Sequence, residues 1–319
     1  MPAASPRHGR VVVVGSANID HVMHLPRLPM VGETVSDGRY QLAWGGKGAN
    51  QAVAAVRSGA PTALVAAVGD DPLSRSMVAE WTADGLDLRG LKRLADTPTG
   101  TAMVVVGAGG DNYLAVDRGA NAKLLPADLD PLVFAGAAVV VLQMEVPVAT
   151  NLRAIALARS VGARVLLNYA PTMELVEELL TVDLLVVNET EAAFLVGQPV
   201  DRSNATEAAR ALLARGASAV AITLGGDGAC LFDSSGARLV PPFPAKAVDT
   251  TAAGDTWCGA VAAALAAGQD LAAAAREGAA AAAITVSRHG AQISIPRRNE
   301  VLGLLGANPA TMSVGTTSF

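Results

Sequence analysis

The sequence lacks an excess of positive charge, a membrane-length apolar run and a recognisable cysteine pattern. Its 319 residues carry 24 Lys and Arg against 29 Asp and Glu, and the net charge of −5 argues against a nucleic-acid or anionic-membrane surface. The longest apolar runs, around 259–267 and 278–286, are shorter than the ~20 residues that a membrane-spanning helix needs. Cys230 and Cys258 fit no metal-binding or redox spacing, so we expect reduced core thiols.

A signal-peptide core is also missing from the start of the sequence. Residues 1–10 are polar, and the apolar run Val11–Val14 is too short for such a core. Together these absences predict a soluble, cytoplasmic protein with neither a nucleic-acid nor a membrane partner.

Two common nucleotide-binding fingerprints are absent. The stretch Gly45–Asn50 places three glycines and Lys47 before a helix, but not in the G-x-x-x-x-G-K-[ST] context of a P-loop. No G-x-G-x-x-G follows a predicted strand, which disfavours a dinucleotide-dependent oxidoreductase. Glycines near a helix start still allow close backbone approach to a ligand, with Lys47 and Asn50 beside it.

The sequence does contain a regular alternation of strand and helix patterns. Apolar runs predict strands at 11–14, 63–68, 139–143, 164–168, 184–187, 219–224 and 229–232. Helical patterns fall at 51–58, 72–81, 148–160, 205–215, 255–267 and 271–287. This order predicts an α/β fold in which helices wrap a mostly parallel sheet through right-handed crossovers.

Two segments interrupt the alternation. Residues 21–44 are irregular, and residues 100–106 and 113–116 alternate on either side of a glycine-rich turn, which is typical of a hairpin. We expect segments of about 21–44 and 99–121 to form a small β-sheet lid on one domain of residues 11–305. Residues 1–10 are predicted to be a flexible arm and residues 306–319 a loose tail.

A polar stretch, Val248–Thr251, runs directly into an apolar helix. Ala252, Ala253 and Gly254 stand where that helix begins, so their N–H groups and the helix dipole favour an anion such as a phosphate. Asp255 lies in the same turn, which suggests a base that takes a proton during phosphoryl transfer. The alternative, that Asp255 only caps the helix or complements its dipole, stays open on these residues alone.

Polar side chains follow most of the predicted strands. In an open parallel sheet, ligands collect at the carboxyl ends of the strands, so these residues suggest one active-site edge. Asn18 and Asp20 could bind a diol, but from these residues alone a turn-stabilising pair is favoured. The residues in this set are Asn18, Asp20, Glu145, Asn188, Glu191, Thr223 and Asp249.

Taken in this order, five separated motifs resemble the phosphofructokinase-B family of carbohydrate kinases in its ribokinase branch, from about Val11 to Pro296. The motifs are 45–54, 119–121, the N-x-x-E of 188–191, 249–256 and 288–292. The resemblance implies a ribokinase-like three-layer αβα sandwich with a small β-sheet lid. It also implies an ATP-dependent kinase that phosphorylates the 5-hydroxyl of D-ribose, gives ribose 5-phosphate and ADP, and pairs as a homodimer through the lid.

The resemblance further implies roles for individual residues. Asp255 would be the base, with the N–H groups of Ala252, Ala253, Gly254 and Asp255 as the anion hole. The residues implied for the sugar are Asn18, Asp20, Gly46, Lys47, Asn50, Glu145 and Asp255. Those implied for ATP and Mg²⁺ are Asn188, Glu191, Thr223, Gly225, Gly226, Asp227, Gly228, Gly254 and Ala279. Those implied for a monovalent cation, usually potassium, are Asp249, Thr251, Thr285, Arg288, Gly290 and Ser294.

Some positions depart from the family pattern, and alternatives remain. Trp257, Cys258 and Tyr169 replace the residues that are frequent there, and Asp117-Arg118 brings charge near the lid. Two other functions are therefore kept beside the first: the same kinase chemistry on a nucleoside, deoxyribose or another sugar, and a sugar sensor without catalysis.

Overall fold

The computed structural model describes residues 9–109 and 111–307. The predicted arm and tail lie outside these ranges, apart from residues 9, 10, 306 and 307. No helix within the described ranges is long and apolar enough to cross a membrane.

Thirteen strands occur in the part of the chain that the structure describes. In chain order they are β1 Arg10–Val14, β2 Asn18–Leu25, β3 Arg39–Gly45, β4 Thr62–Gly69, β5 Leu91–Leu94, β6 Gly100–Gly107, β7 Asn112–Asp117, β8 Ala137–Gln143, β9 Arg164–Asn168, β10 Leu184–Asn188, β11 Ala219–Thr223, β12 Ala229–Asp233 and β13 Gly236–Val240. The helices are α1 Lys47–Arg57, α2 Pro72–Asp84, α3 Pro131–Phe134, α4 Val148–Ser160, α5 Glu189–Val196, α6 Ala205–Leu213, α7 Ala253–Ala266, α8 Leu271–Val286 and α9 Arg298–Ala307.

Nine strands form the large sheet, in the order β13-β12-β11-β10-β9-β8-β1-β4-β5. Every pairing is parallel except those of β12, which runs antiparallel to both β11 and β13. The central strands read as continuous apolar runs because helices cover both of their faces. Val12 and Val14 face one core with α4, α5 and α6, whereas Val11 and Val13 face another core with α1, α2, α7 and α8. The predicted three-layer α/β architecture is confirmed.

Four strands form a second, smaller sheet, in the order β3-β2-β6-β7. The chain enters it directly from β1, since only Gly15–Ala17 separate β1 from β2. Side chains alternate between its two faces. Asp20, Gln41 and Val104 help to line a cleft of about 550 Å³ against residues 247–251 and 289–291 of the main body. We call this second sheet the small sheet; that it closes as a lid stays a prediction.

Several elements differ from the prediction. Helix α1 begins at Lys47 instead of residue 51, so the glycine motif forms the first helical turn. Strands β5 and β13 were not predicted, because their short sequences (LKRL and GARLV) mix charged residues into half-buried edge positions. Helix α9 was also missed, and it extends through residues 306 and 307 of the predicted loose tail.

Candidate active site

The carboxyl ends of β9, β10 and β11 face the amino end of α7 across a cleft of about 200 Å³. Lys47, from the start of α1, also lines this cleft. The strand ends contribute Asn168, Asn188 and Thr223, and the α7 side contributes Thr250 and residues 252–255. Polar groups therefore converge at one edge of the large sheet, as the strand-end pattern predicted.

The first turn of α7 presents unpaired backbone donors to this cleft. Ala252 has a left-handed conformation (φ 60°) that turns the chain into the helix. Ala253 donates its N–H to the Thr250 carbonyl at 3.2 Å, but the N–H groups of Gly254 and Asp255 have no acceptor among the described residues. A Cβ on Gly254 would meet no atom within 4 Å. The helix start can thus receive an anion through Gly254 and Asp255, with Ala253 already engaged.

The Asp255 carboxylate is buried and held from both sides. Asn50 donates through Nδ2 to Oδ2 at 2.9 Å, and Gln51 donates through Nε2 to Oδ1 at 3.0 Å. Its oxygens accept from these two side chains, so the structure does not support capping as its role, although Asp255 does place an acid in the first turn of α7.

The contact between Asp255 and α1 depends on a glycine one turn further along α7. A Cβ on Gly259 would lie 2.4 Å from the Gln51 carbonyl oxygen and 2.5 Å from the Ala54 Cβ. Only glycine lets α7 approach α1 this closely, and that approach brings both amides to the carboxylate.

Acidic groups crowd the side of the site next to the small sheet. Burial, and then the nearby charges of Glu145 and Asp255, raise the pKa of Asp20 to about 7. Glu145 accepts hydrogen bonds from the Ser16 hydroxyl and, at 3.0 Å, from the backbone N–H of Lys47. Burial acts to lower the pKa of the Lys47 ammonium, but attraction to Asp255, Glu145 and Glu191 outweighs it and the pKa is raised. Lys47 is therefore a half-buried cation that balances this cluster.

Asn18 has a fixed orientation. Its Oδ1 accepts from Asn121 Nδ2 at 2.7 Å, and Asn121 Oδ1 in turn accepts from the Ala17 backbone N–H at 2.9 Å. A Cβ on Gly100 would lie 2.2 Å from Asn121 Nδ2, so this pair needs glycine beside it. Because the Asn18 carbonyl oxygen is occupied, its free group is the amide donor.

Asn188 and Glu191 form the capping box of α5. Asn188 Oδ1 accepts from the Glu191 N–H, and Glu191 Oε2 accepts from the Asn188 N–H, both at 2.8 Å. Burial raises the pKa of Glu191. One carboxylate oxygen of Glu191 and the amide nitrogen of Asn188 remain for a ligand in the cleft, where both residues lie.

The remaining predicted nucleotide residues lie outside this cleft. Gly225, Gly226, Asp227 and Gly228 form the turn between β11 and β12, where Asp227 pairs with Arg202 at 2.8 Å. Ala279 is a half-buried residue of α8 that packs at the edge of two apolar cores. The structure thus brings Thr223 and Gly254 to the cleft, whereas the 225–228 turn and Ala279 do not line it.

Of the residues predicted for a monovalent cation, Asp249 and Thr251 lie in one loop and Arg288 and Gly290 in another, while Thr285 stands in the last turn of α8 and Ser294 in a short 3-10 helix. The Asp249 carboxylate accepts from the Thr251 N–H and the Gly290 N–H, both at 2.9 Å, which ties the two loops together. Arg288 is engaged in an ion pair with Glu300. Thr285 and Ser294 are buried next to these loops, and Ser294 donates to the Ala291 carbonyl at 2.7 Å.

Sequence reasoning missed several polar side chains of the site. Gln51 and Asn121 lie inside two of the quoted motifs, yet neither was assigned a role. Asn168 ends β9 and could have been found by the strand-end signal that selected Asn188. Gln292 likewise lies inside a quoted motif, 288–292, without an assigned role. Ser16 and Gln143 carry no local signal, because their partners are distant in sequence.

Three of the positions that depart from the family pattern, Trp257, Cys258 and Tyr169, are buried, and Cys258 also lines the cleft. Trp257 and Cys258 are buried in α7, and burial raises the pKa of the Cys258 thiol. Tyr169 is fully buried, and its hydroxyl donates to the Glu174 carbonyl at 2.7 Å and accepts from the Val176 N–H at 2.9 Å. These contacts anchor the loop that follows β9.

Comparison with known proteins identifies relatives along nearly the whole chain. Residues 9–298 match the family described as pfkB family carbohydrate kinase. The ribokinase of Haemophilus influenzae is 38% identical over 299 residues, which is 92% of this chain and 98% of that protein. A bifunctional ribokinase/ribose-5-phosphate isomerase A of Fructilactobacillus sanfranciscensis is 38% identical over 308 residues, where the match spans 95% of this chain but 57% of that longer protein.

Two further comparisons bear on ligands. A structure of Arabidopsis thaliana ribokinase complexed with ribose and ATP has a TM-score of 0.86 and 34% identity, and the match covers 93% of this chain and 98% of that one. A deoxyribokinase of Salmonella typhi is 32% identical over 302 residues, 92% of this chain and 99% of that protein.

Proposed function

Because this chain belongs to the pfkB family of carbohydrate kinases, we propose that it transfers the γ-phosphoryl group of ATP to the 5-hydroxyl of D-ribose, giving ribose 5-phosphate and ADP. One observation carries the proposal: at the start of α7, the unpaired N–H of Gly254 lies next to the buried carboxylate of Asp255. Transfer to a hydroxyl needs an anion site and a base at one place.

In this proposal Asp255 accepts the proton of the sugar hydroxyl as the hydroxyl oxygen attacks the phosphorus. The N–H groups of Gly254 and Asp255 stabilise the charge that develops on the transferred group. Loss of one such donor typically costs ~3 kcal/mol of barrier. Lys47 lines the same cleft and keeps its positive charge among the acids.

The polarity of the sugar pocket suits a vicinal diol. Asn18 offers an amide donor, since Asn121 occupies its oxygen. Asp20, two residues further along β2, offers carboxylate acceptors. The other residues proposed for the sugar are Gly46, Lys47, Asn50 and Glu145. A site built to hydrogen-bond a hydroxyl usually rejects the analogue that lacks it, so ribose is favoured over 2-deoxyribose.

The residues present fit a divalent cation that accompanies the nucleotide. Asn188 and Glu191 lie in the cleft. Outside their capping box Glu191 keeps one carboxylate oxygen for the cation or its waters, whereas the Asn188 NH2 group can only donate, to a phosphate oxygen or a water. Mg²⁺ keeps part of its water shell and binds few carboxylates directly, which matches this donor set. When bound, such a cation neutralises phosphate charge.

The loops around Asp249 and Gly290 fit a monovalent cation such as K⁺. Both carboxylate oxygens of Asp249 accept backbone N–H groups, so the ligands proposed here are chiefly carbonyl oxygens. Those oxygens belong to Asp249, Thr251, Thr285, Arg288 and Gly290, with Ser294 beside them. Arg288 can contribute only its carbonyl, since a guanidinium cannot ligate a cation.

A homodimer through the small sheet also belongs to this proposal. The face turned away from the cleft exposes Tyr40 (54%), Met103 (54%) and Tyr113 (56%), and a cluster of exposed apolar residues marks an interaction surface. A cytoplasmic location remains a prediction from the sequence.

The test is coupled ADP release with Mg-ATP and a panel of ribose, 2-deoxyribose, fructose and adenosine, with and without potassium. Ribose-selective, potassium-stimulated turnover is expected. Equal or faster turnover of 2-deoxyribose would favour the second candidate, which the deoxyribokinase relative supports. No turnover on any acceptor would overturn the kinase proposal and favour a sugar sensor, whose ribose binding can be measured by calorimetry.

A further inference from the structure

Two neighbouring amides at the start of α1 each bind one oxygen of Asp255. Asn50 reaches Oδ2 and Gln51 reaches Oδ1, at 2.9 and 3.0 Å. Gln51 is fully buried, so it cannot touch a bound sugar or nucleotide. Any effect of Gln51 on a reaction must therefore pass through the groups that it holds.

The orientation of Gln51 is fixed by a group beyond it. Its Nε2 also donates to Asn168 Oδ1 at 3.1 Å, and Asn168 Nδ2 donates to the Val186 carbonyl at 3.3 Å. A backbone carbonyl can only accept, so it determines which way the Asn168 amide points and, through it, the Gln51 amide. Gln51 Oε1 accepts from Gln143 Nε2 at 2.7 Å, which is consistent with the same orientation.

The orientation of Asn50 is fixed in the same manner from the other side. Its Oδ1 accepts from Gln292 Nε2 at 3.1 Å, and Gln292 Oε1 accepts from the Trp81 indole N–H at 2.9 Å. An indole can only donate. Arg57 holds the segment in place through a hydrogen bond to the Gln292 carbonyl at 2.5 Å.

We propose that Gln51 and Gln292 are positioning residues for Asp255, an inference that rests on the proposed role of Asp255 as base. With both hydrogen-bond chains in place, each carboxylate oxygen receives one N–H and keeps a lone pair for the substrate hydroxyl. An amide freed from its chain can turn its oxygen toward the carboxylate, and repulsion then displaces the base. A misplacement of about 1 Å can cost roughly 10²-fold in rate.

The kinetic test uses Gln51→Met and Gln292→Met, which keep the side-chain length but remove the polar atoms. We expect kcat to fall roughly tenfold or more in Gln51→Met and several-fold in Gln292→Met, while KM for ATP stays within about twofold. Trp81→Phe, at the far end of the hydrogen-bond series through Gln292 and Asn50, should show the smallest loss of kcat. The matched control is Thr150→Val, which removes a buried hydrogen bond to the Leu124 carbonyl (2.6 Å) away from the site and should leave kcat unchanged.

A double-mutant cycle with Asp255→Asn separates positioning from general stability. In the Asp255→Asn background, neither Gln51→Met nor Gln292→Met should lower the residual turnover further. The loss of unfolding free energy in each double variant should be smaller than the sum of the losses in its two single variants. The stability cycle needs no catalysis, so it still tests the contacts if the protein phosphorylates no acceptor. Additive losses, or wild-type kcat in Gln292→Met, would overturn the proposal. If Gln51→Met does not fold, Gln292→Met and Trp81→Phe carry the test.

Discussion

The two sides of the site are built in different ways. The side next to the small sheet uses side chains: Asp20, Glu145 and Lys47 form a half-buried cluster, in which the Glu145 carboxylate helps to raise the pKa of both Asp20 and Lys47. The side at α7 uses the backbone, through N–H groups that the helix start leaves unpaired. Side chains can discriminate among hydroxyls, whereas backbone donors recognise any phosphate. The comparison therefore predicts that substitutions on the first side alter acceptor choice, and those on the second side alter transfer.

The largest effect is expected where the two sides meet, at Asp255. Asp255→Asn should lower kcat on the order of 10³-fold because the general base is lost, while ribose binding is largely retained. Asp270→Asn is the matched control, since Asp270 stands at the start of α8 and only caps it, accepting from the Ala273 N–H at 2.9 Å. Steady-state kinetics and calorimetry of both variants make the measurement. Similar, small losses in the two variants would contradict a catalytic Asp255.

On the backbone side, two glycines of α7 give a paired experiment. Gly254→Ala adds a methyl group in open space, so the melting temperature should hold while kcat/KM for ATP falls roughly 10–100-fold, because the methyl group crowds the phosphate. Gly259→Ala instead drives a methyl group into α1 and should cost about 1–3 kcal/mol of stability. Thermal melts and ATP titrations distinguish the two. A large drop in melting temperature for Gly254→Ala would contradict the open helix start.

On the side-chain side, Asn121→Ala should release the Asn18 amide. Asn18 could then turn its oxygen toward the sugar, so we expect KM for ribose to rise about tenfold with little change in KM for ATP, as loss of one oriented hydrogen bond implies. The ATP value serves as the internal control. An equal rise in both constants would show that Asn121 supports the fold in general and does not set acceptor recognition.

The smallest expected effect is on thermal stability, which the ionised Asp20 carboxylate lowers. The folded-state pKa of about 7 lies above the ordinary value of 3.8, so the folded protein binds this proton more tightly than the unfolded chain. The resulting stabilisation is complete below about pH 4 and is lost as pH rises to about 7. Asp20→Asn should therefore melt a few degrees higher than the wild type at pH 8, with a smaller gain at pH 5. A gain that is larger at pH 5 would contradict the raised pKa.

Local sequence patterns were enough to predict a site residue when its place in the site follows from its position in a single strand or helix. The apolar run before Asn188 and the polar-to-apolar change at Asp255 both predicted their elements and their place at the sheet edge, and the motif-based family assignment is confirmed. The short charged edge strands β5 and β13 escaped detection because their pairing comes from neighbouring strands. The role of Gln292 was also out of reach, since its partner Asn50 is 242 positions away.

Because Trp81 is hydrogen-bonded to Gln292, it can serve as an intrinsic fluorescence probe of that contact. Indole fluorescence responds to the polarity and hydrogen bonding around the ring, and Trp81 is almost completely shielded from solvent. The chain has three tryptophans: Trp44 lies in the small sheet and Trp257 two residues after Asp255. Emission of the unlabelled protein therefore responds to changes at all three positions, and replacing two of the tryptophans by phenylalanine assigns the signal to the small sheet, to the surroundings of the carboxylate or to the Trp81 contact.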